Sequence, residues 1–85
     1  MHSADLSQSN TPDDTLDITR ETCPMTYVRT RLKLDGMRTG QILEVRLRGA
    51  DAVSNVPRTA ALQGHTVISR HGCDDGTMIL RLRRG

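Results

Sequence analysis

Aromatic side chains are almost absent from this chain of 85 residues, which has one tyrosine, no phenylalanine and no tryptophan. Its core must therefore be built from aliphatic side chains. Apolar runs are short as well, and none approaches the roughly 20 residues that a membrane-spanning helix needs. Residues 1–14 lack the basic start and the apolar stretch of a secretory signal peptide. We expect a cytoplasmic protein that has no contact with a membrane.

Cysteine and histidine are scarce, and their spacing argues against a disulfide and against a metal site. Cys23 and Cys73 lie fifty residues apart, and in a reducing compartment such a pair is more often two free thiols. The three histidines, His2, His65 and His71, form none of the close pairs with cysteine or with each other that zinc sites use. We expect no disulfide and no bound metal.

The length and charge of the chain limit how many domains and which kinds of partner it can have. A chain of 85 residues fits one small domain, so we expect one site on one surface. Residues 1–14 carry three Asp and no Lys or Arg, which leaves 12 basic and 7 acidic side chains in residues 15–85, a net charge of +5. That excess favours acidic partners weakly. Because residues 1–14 are too polar to offset the entropy of ordering, we expect a disordered tail there and a single domain over residues 15–85.

Alternating apolar residues predict four strands. Leu16 and Ile18 alternate with polar neighbours through Arg20, as in a short half-buried strand. The same period predicts strands at residues 41–48 and 77–83, and Val67 and Ile68 indicate a further strand at residues 66–71. The segment Cys73-Asp74-Asp75-Gly76 has the composition of a hairpin turn between the last two.

Two segments between these strands predict helices. The first covers residues 25–37, and its apolar positions are Met25, Val28 and Leu32 on one face, widened by Leu34 and Met37. The second lies within residues 52–63 and ends at Gly64, a suitable C-terminal cap. Pro57 fits a helix interior badly, so this helix either begins there or is preceded by a separate turn.

The resulting order, β-α-β-α-β-β, predicts an α/β (α+β) two-layer sandwich in which a four-stranded mixed sheet carries both helices on one face. The other face would be partly exposed to water. The arginines of the second and fourth strands would lie on that exposed face, or Arg81 and Arg83 would flank a sheet edge and discourage edge pairing.

The chemistry-bearing position is Cys23, which precedes Pro24 at the predicted start of the first helix. Proline is tolerated at the first helical position, which places Cys23 at or just before the N-cap, where the helix dipole favours a thiolate. Arg20 and Arg29 would reinforce that effect and Glu21 would oppose it. The alternative is a small buried side chain that only caps the helix, with two solvated arginines nearby.

Residues on both sides of this cysteine match the pattern of a known family in type and spacing. They are Asp17, Cys23-Pro24, Arg29, Leu32, Gly40, Leu43-Glu44-Val45, Asp51, Val56-Pro57 and Gly64-His65. Over residues 15–84 the chain resembles the TusA/SirA/YedF family of sulfur carriers, whose motif is Cys-Pro-x-Pro. It departs from that pattern at Thr26, which replaces the second proline, and at Arg20 and Glu21, which replace a usual Gly-Leu pair.

The resemblance implies that Cys23 accepts sulfane sulfur as a persulfide from a donor, such as a cysteine desulfurase or a rhodanese-like protein. It then passes the sulfur to an acceptor protein in tRNA thiolation, molybdenum-cofactor maturation or oxidative sulfur metabolism. No cofactor is implied, and we expect a monomer. The helix dipole and the N–H groups of Met25 and Thr26 would hold the persulfide anion, and Pro24 would contribute shape only.

Two other functions remain open at this stage. A small basic domain with arginines on an open sheet could bind RNA, although the aromatic side chains on which bases stack are missing, so we expect no direct nucleic-acid binding. The same fold could also serve as a regulatory docking module without sulfur chemistry. Cys73 lies beside Asp74 and Asp75 in the hairpin, and we assign it no role in sulfur transfer.

Overall fold

A computed structural model describes residues 11–22 and 25–85. Across these residues the chain forms four strands and two helices: β1 (Asp14–Asp17), α1 (Met25–Asp35), β2 (Ile42–Arg48), α2 (Ala50–Leu62), β3 (Thr66–Gly72) and β4 (Thr77–Arg83). The predicted order β-α-β-α-β-β and the two-layer α+β sandwich are confirmed.

The four strands form one mixed sheet in the order β1-β2-β4-β3. β1 runs parallel to β2, while β4 runs antiparallel to both β2 and β3. Val45 of β2 lies between Leu16 of β1 and Leu80 of β4, so the central strands are β2 and β4. Because parallel strands need a crossover connection, α1 returns the chain over one face between β1 and β2.

The core is aliphatic, as the composition requires. Leu43, Val45 and Leu47 of β2 are fully buried, and Leu80 of β4 is buried beside them. The other buried apolar side chains come from both helices and from the remaining strands: Ile18, Leu34, Ile42, Ala52, Val56, Ala60, Met78 and Leu82.

Helix α1 buries a different face from the one that its apolar residues predict. Thr26, Thr30 and Leu34 are its buried residues. The predicted core residues Met25, Val28 and Leu32 are 42%, 39% and 65% exposed, and at 100° per residue they lie on the opposite side of the helix. The prediction was wrong for these three residues, whereas Leu34 is buried and Met37 packs against the core as predicted. Thr30 can be buried because its hydroxyl donates to the Thr26 carbonyl at 2.8 Å.

Helix α2 also begins earlier than predicted, at Ala50, and Pro57 lies inside it. An interior proline costs about 3 kcal/mol through its missing N–H and its clash with the preceding turn. Val56, Pro57 and Ala60 are all buried, and this burial offsets the cost. The predicted cap at Gly64 is confirmed: the His65 N–H donates to the Ala60 carbonyl at 3.0 Å, as in a Schellman motif.

The chain enters the sheet slightly before residue 15, the predicted start of the domain. Asp14 belongs to β1, and the Asp13 N–H donates to the Ile42 carbonyl at 2.7 Å. The Asp13 carboxylate in turn accepts from the Ile42 N–H at 2.8 Å. The first ten residues of the predicted tail lie outside the described residues.

The sheet face away from the helices carries the arginines of β2 and β4. Since these strands are central, the alternative in which Arg81 and Arg83 flank an edge is wrong. Arg81 pairs with Glu44 across the two strands at 3.1 Å. The open face is therefore mixed in charge.

The C-terminal residues close the end of the sandwich opposite the start of α1. Arg84 donates to the Leu34 carbonyl at 2.7 Å, and the Gly85 N–H donates to His65 Nδ1 at 3.1 Å. Burial, reinforced by the positive charge of Arg84, lowers the pKa of His65 below its ordinary value. A neutral His65 is the form that can accept the Gly85 bond.

Candidate functional site

The loop that leads from β1 to the cysteine is fixed at its start. Asp17 accepts bonds from the backbone N–H of Thr19 at 3.0 Å and from the Thr19 hydroxyl at 2.7 Å, and both bonds lower the pKa of Asp17. Ile18 is buried, and its N–H donates to the Arg46 carbonyl at 3.0 Å. Cys23 and Pro24, the centre of the predicted site, lie outside the described residues. Their neighbours Thr22 and Met25 define the site around them.

The first turn of α1 uses the N–H groups that the sequence assigned to the persulfide. The Thr22 carbonyl accepts from the Met25 N–H at 2.7 Å and from the Thr26 N–H at 3.3 Å. Both N–H groups that the family resemblance assigns to the persulfide anion therefore already have an acceptor. The helix dipole remains available, because it depends on the alignment of the peptide units and not on these two donors.

The two arginines of the predicted site differ in their surroundings. Arg29 contacts Glu21 at 3.4 Å, so its charge is partly offset by the acidic residue that adjoins Thr22. Arg20 is exposed and makes no ion pair within residues 11–22 and 25–85. The charge of Arg20 instead contributes to the lowered pKa of Asp17.

A cleft of about 250 Å³ opens between the starts of the two helices. Glu21, Thr22 and Thr26 line it from the α1 side, and residues 48–52 line it from the end of β2 and the first turn of α2. The helix starts meet because parallel strands end at the same edge of a sheet and each is followed by a helix on the same face. Thr22 adjoins Cys23 in the chain, so the cleft belongs to the candidate site.

The second wall of the cleft was not predicted. From the sequence alone, Arg48 falls in a strand, residue 52 falls in the second helix, and Asp51 is expected to cap a turn or that helix. Asp51 does lie in the first turn of α2, but the N-cap is Gly49, whose φ of 98° is accessible to glycine and disfavoured for other residues, and no side chain caps the helix. A glycine directly between a strand and a helix was the available sequence signal.

The β3–β4 hairpin lies at the same edge of the sheet as this cleft. Arg48 joins the two, since its guanidinium contacts the Asp75 carboxylate at 3.7 Å while also lining the cleft. Cys73 is a free thiol, partly exposed, at the base of the hairpin, where its N–H donates to the Thr77 carbonyl at 2.7 Å. The predicted turn at residues 73–76 is confirmed.

Within the part of the chain that the structure describes, no three His, Cys, Asp or Glu side chains gather into a group that could hold a metal ion. Neither helix in those residues has the length and apolarity to cross a membrane.

Comparison with known proteins identifies the family. The pattern of the family described as "Sulfurtransferase TusA" matches residues 14–84. A relative from Archaeoglobus fulgidus is 44% identical over 57 residues, which are 67% of this chain and 65% of that protein, and one from Thermotoga maritima is 37% identical over 54 residues, 64% of this chain and 68% of that protein. Each carries the description "Putative sulfur carrier protein". The chain thus spans just under two thirds of the Archaeoglobus protein.

The fold is shared with a solved structure. The crystal structure of a SirA-like protein from Desulfitobacterium hafniense superposes with a TM-score of 0.73 at 19% identity, covering 85% of this chain and 97% of that one. At that identity the likeness establishes the architecture alone. The matched pattern, which spans nearly all of the described fold, establishes more: this chain belongs to the TusA family of sulfurtransferases.

Proposed function

We propose that the protein carries sulfane sulfur as a persulfide on Cys23 and relays it from a donor protein to an acceptor protein. The observation that carries the proposal is the position of Cys23 in a TusA-family chain. It adjoins a residue that lines an open cleft, and it comes two residues before an eleven-residue helix. A carrier needs its sulfur to be reachable by two successive partners, and a cleft open to solvent meets that need.

The transfer requires a thiolate and no external oxidant or reductant. The Cys23 thiolate attacks the outer sulfur of the donor persulfide, a new S–S bond forms, and the donor sulfur leaves as a thiolate with the electron pair of the broken bond. In the second half, an acceptor thiolate attacks the outer sulfur and Cys23 leaves as the thiolate. The proton on the outer sulfur is lost to solvent whenever the persulfide ionises.

The electrostatic assistance comes from the start of α1 and from Arg20. The helix has no acidic side chain in its first turn, so nothing there cancels the positive end of its dipole. Glu21, the nearest carboxylate in the chain, is held by Arg29. Pro24 has no N–H to offer, and the N–H groups of Met25 and Thr26 are taken by Thr22.

The exposed apolar stripe of α1, Met25, Val28 and Leu32, is the surface on which we place partner docking. It starts two residues after Cys23 and runs along the side of the helix that faces away from the core. Three aligned apolar side chains can be buried by a partner that reaches Cys23. Arg29 and Arg31 flank the stripe, which suits a partner surface with acidic residues at its rim.

The chemistry defines the partners by class. The donor is a protein that forms a cysteine persulfide, as cysteine desulfurases and rhodanese-like proteins do. The acceptor is a protein thiol that feeds tRNA thiolation, molybdenum-cofactor maturation or oxidative sulfur metabolism. We place this relay in the cytoplasm, with the carrier acting as a monomer.

A relay experiment tests this function. The protein is loaded with sulfur by a cysteine desulfurase, separated from it and mixed with an acceptor protein that has one reactive thiol. We expect the acceptor to gain one sulfur atom for each atom that the carrier loses, and the Cys23→Ser variant to transfer none. Transfer by Cys23→Ser at the wild-type rate would contradict the assignment of Cys23, and a wild-type protein that neither loads nor transfers sulfur would favour a regulatory docking module.

The open sheet face does not support a second function. A nucleic-acid site requires an excess of positive charge that is free to reach phosphates. Arg81 is paired with Glu44, Arg48 contacts Asp75, and Asp17 lies on the same face as Arg46. We therefore propose no nucleic-acid binding.

A further inference from the structure

One residue of the exposed apolar stripe of α1 carries a sulfur atom that an oxidant can reach. The chain has four methionines, and the structure describes three of them, Met25, Met37 and Met78. Met25 is 42% exposed at the start of α1, whereas Met37 is partly buried against the core and Met78 is 7% exposed in β4. Of these three methionines, Met25 is therefore the one most open to solvent.

Exposure decides which methionine a peroxide oxidises first. The thioether sulfur attacks one oxygen of hydrogen peroxide, an S–O bond forms, the O–O bond breaks, and the proton of the transferred oxygen passes to the other, which leaves as water. The sulfur loses two electrons and the peroxide gains them, so no further reactant is needed. Because susceptibility to oxidation follows exposure, Met25 should react before Met37 and Met78.

The position of Met25 gives its oxidation a consequence. Met25 is the first of the three residues of the stripe, with Val28 and Leu32. A sulfoxide is polar, so a partner that covers the stripe would have to bury a hydrogen-bond acceptor where it had buried a thioether. That burial costs free energy unless the partner supplies a donor. Val28 and Leu32 contain no sulfur, so the stripe has one position that this reaction can change.

We propose that Met25 is a site of reversible oxidation by peroxides, and that its sulfoxide weakens partner docking on the apolar stripe of α1. The proposal rests on the proposed function, because it takes docking on that stripe as given. A methionine sulfoxide reductase reverses the modification by returning two electrons from thiols and releasing the oxygen as water. Oxidation of Met25 thus regulates the relay without changing either cysteine.

The first arm of the test measures which methionine is oxidised. A protein with both Cys23→Ser and Cys73→Ser is treated with hydrogen peroxide, so that each added oxygen, about 16 Da, reports on methionine. Trypsin, which cleaves after Lys and Arg, leaves the four methionines in separate peptides, residues 1–20, 21–29, 34–38 and 71–81. We expect peptide 21–29 to be oxidised at least about tenfold faster than peptide 71–81 in the folded protein, and at a similar rate in urea. Equal rates in the folded protein would overturn the proposal.

The second arm measures the effect on docking. Wild-type protein and Met25→Leu receive the same low dose of hydrogen peroxide, are reduced with dithiothreitol, and are loaded by a cysteine desulfurase at a concentration well below saturation. Leucine keeps an apolar side chain of similar volume and cannot form a sulfoxide. The oxidised wild-type protein should load roughly fivefold more slowly than before oxidation, because less apolar surface is buried on docking. Met25→Leu should keep its rate, and since it has the same cysteines, damage to a cysteine would slow both proteins alike.

A matched control and a rescue complete the experiment. Met37→Leu retains Met25 and should lose loading rate after oxidation as the wild type does, and a methionine sulfoxide reductase should restore the rate in both. An unchanged loading rate in wild-type protein oxidised at Met25 would overturn this inference alone, since loading itself supports the proposed function. Failure of the untreated wild-type protein to load sulfur on Cys23 would overturn the proposed function, and the docking effect with it. The selectivity of oxidation, measured without cysteines, would then still decide whether Met25 is the modified site.

Discussion

The orientation of α1 predicts opposite effects for two leucines that lie two positions apart. Leu34 is fully buried, whereas Leu32 is 65% exposed on the stripe that we assign to partner docking. Each can be changed to alanine without altering charge or the helix propensity of the site by more than a few tenths of a kcal/mol. The apolar pattern of the sequence places Leu32 in the core. Comparing the stabilities of the two alanine variants therefore tests the structure against that pattern.

The magnitudes follow from burial. Leu→Ala at fully buried sites costs about 2.7–5.0 kcal/mol, from lost transfer free energy and the cavity that remains. At an exposed site the cost stays within about 0.5 kcal/mol. For a domain of this size 1 kcal/mol shifts the melting temperature by about 4–8 °C. Leu34→Ala should therefore melt at least about 10 °C below the wild type, and Leu32→Ala within about 4 °C of it.

Urea unfolding followed by circular dichroism measures both free energies, and an unchanged slope against urea shows that the unfolded states are comparable. Leu32→Ala should also slow sulfur transfer to a partner while leaving unfolding nearly unaffected. A cost above about 2 kcal/mol for Leu32→Ala, together with one below about 1 kcal/mol for Leu34→Ala, would refute the orientation of the helix. It would also remove the proposed docking stripe.

Three further outcomes are expected. Arg29→Glu places two carboxylates together beside the cleft, so single-turnover sulfur transfer should slow at low salt and recover as salt is raised. A variant as fast as the wild type at low salt would contradict this. Deleting residues 1–10 should change the free energy of unfolding by less than about 0.5 kcal/mol. Asp13→Ala should lower it by about 1 kcal/mol, because the Ile42 N–H loses its side-chain acceptor, and urea unfolding of the two proteins measures both changes. Because the pKa of His65 is lowered in the folded state, the unfolded state takes up a proton first as pH falls, so stability should be greatest above about pH 6.5 and decline below it. His65→Gln should flatten this dependence, and an equally steep decline in that variant would exclude His65 as its cause.

The strands could be predicted from sequence because their side chains obey a strict rule. From Leu43 in β2 and from Leu80 in β4 the apolar residues alternate with charged ones. The register pairs Val45 with Leu80 on the core side and Glu44 with Arg81 on the open side. A period of two admits only one assignment of faces once the apolar set is known. The hairpin at Gly76 and the cap at Gly64 were equally local signals.

The face of α1 could not be predicted in the same way. Its two buried threonines look polar in the sequence, yet Thr30 satisfies its hydroxyl within the helix, and Thr26 is buried where it lines the cleft. Meanwhile Met25 and Leu32 look like core residues and are exposed. A pattern of hydrophobicity cannot distinguish an apolar stripe that packs inside from one that is kept for a partner.

The cleft depends on tertiary structure and not on any motif. Thr26 and Ala50 are 24 positions apart, and they meet because β1 and β2 are parallel neighbours whose following helices start at one edge. The sequence predicted the strands and the helices but left the order of strands in the sheet open. Without that order, the sequence could not show that the start of α2 forms the second wall of the cleft.

Intact-mass measurement after incubation with a cysteine desulfurase and cysteine tests the central claim most directly. The wild-type protein should gain about 32 Da per sulfur atom, and a reductant should remove the gain, as expected of a persulfide. Cys73→Ser should load like the wild type, and Cys23→Ser should gain nothing. Sulfur gained by Cys23→Ser to the same extent as by the wild type would contradict the assignment of Cys23 as the carrier.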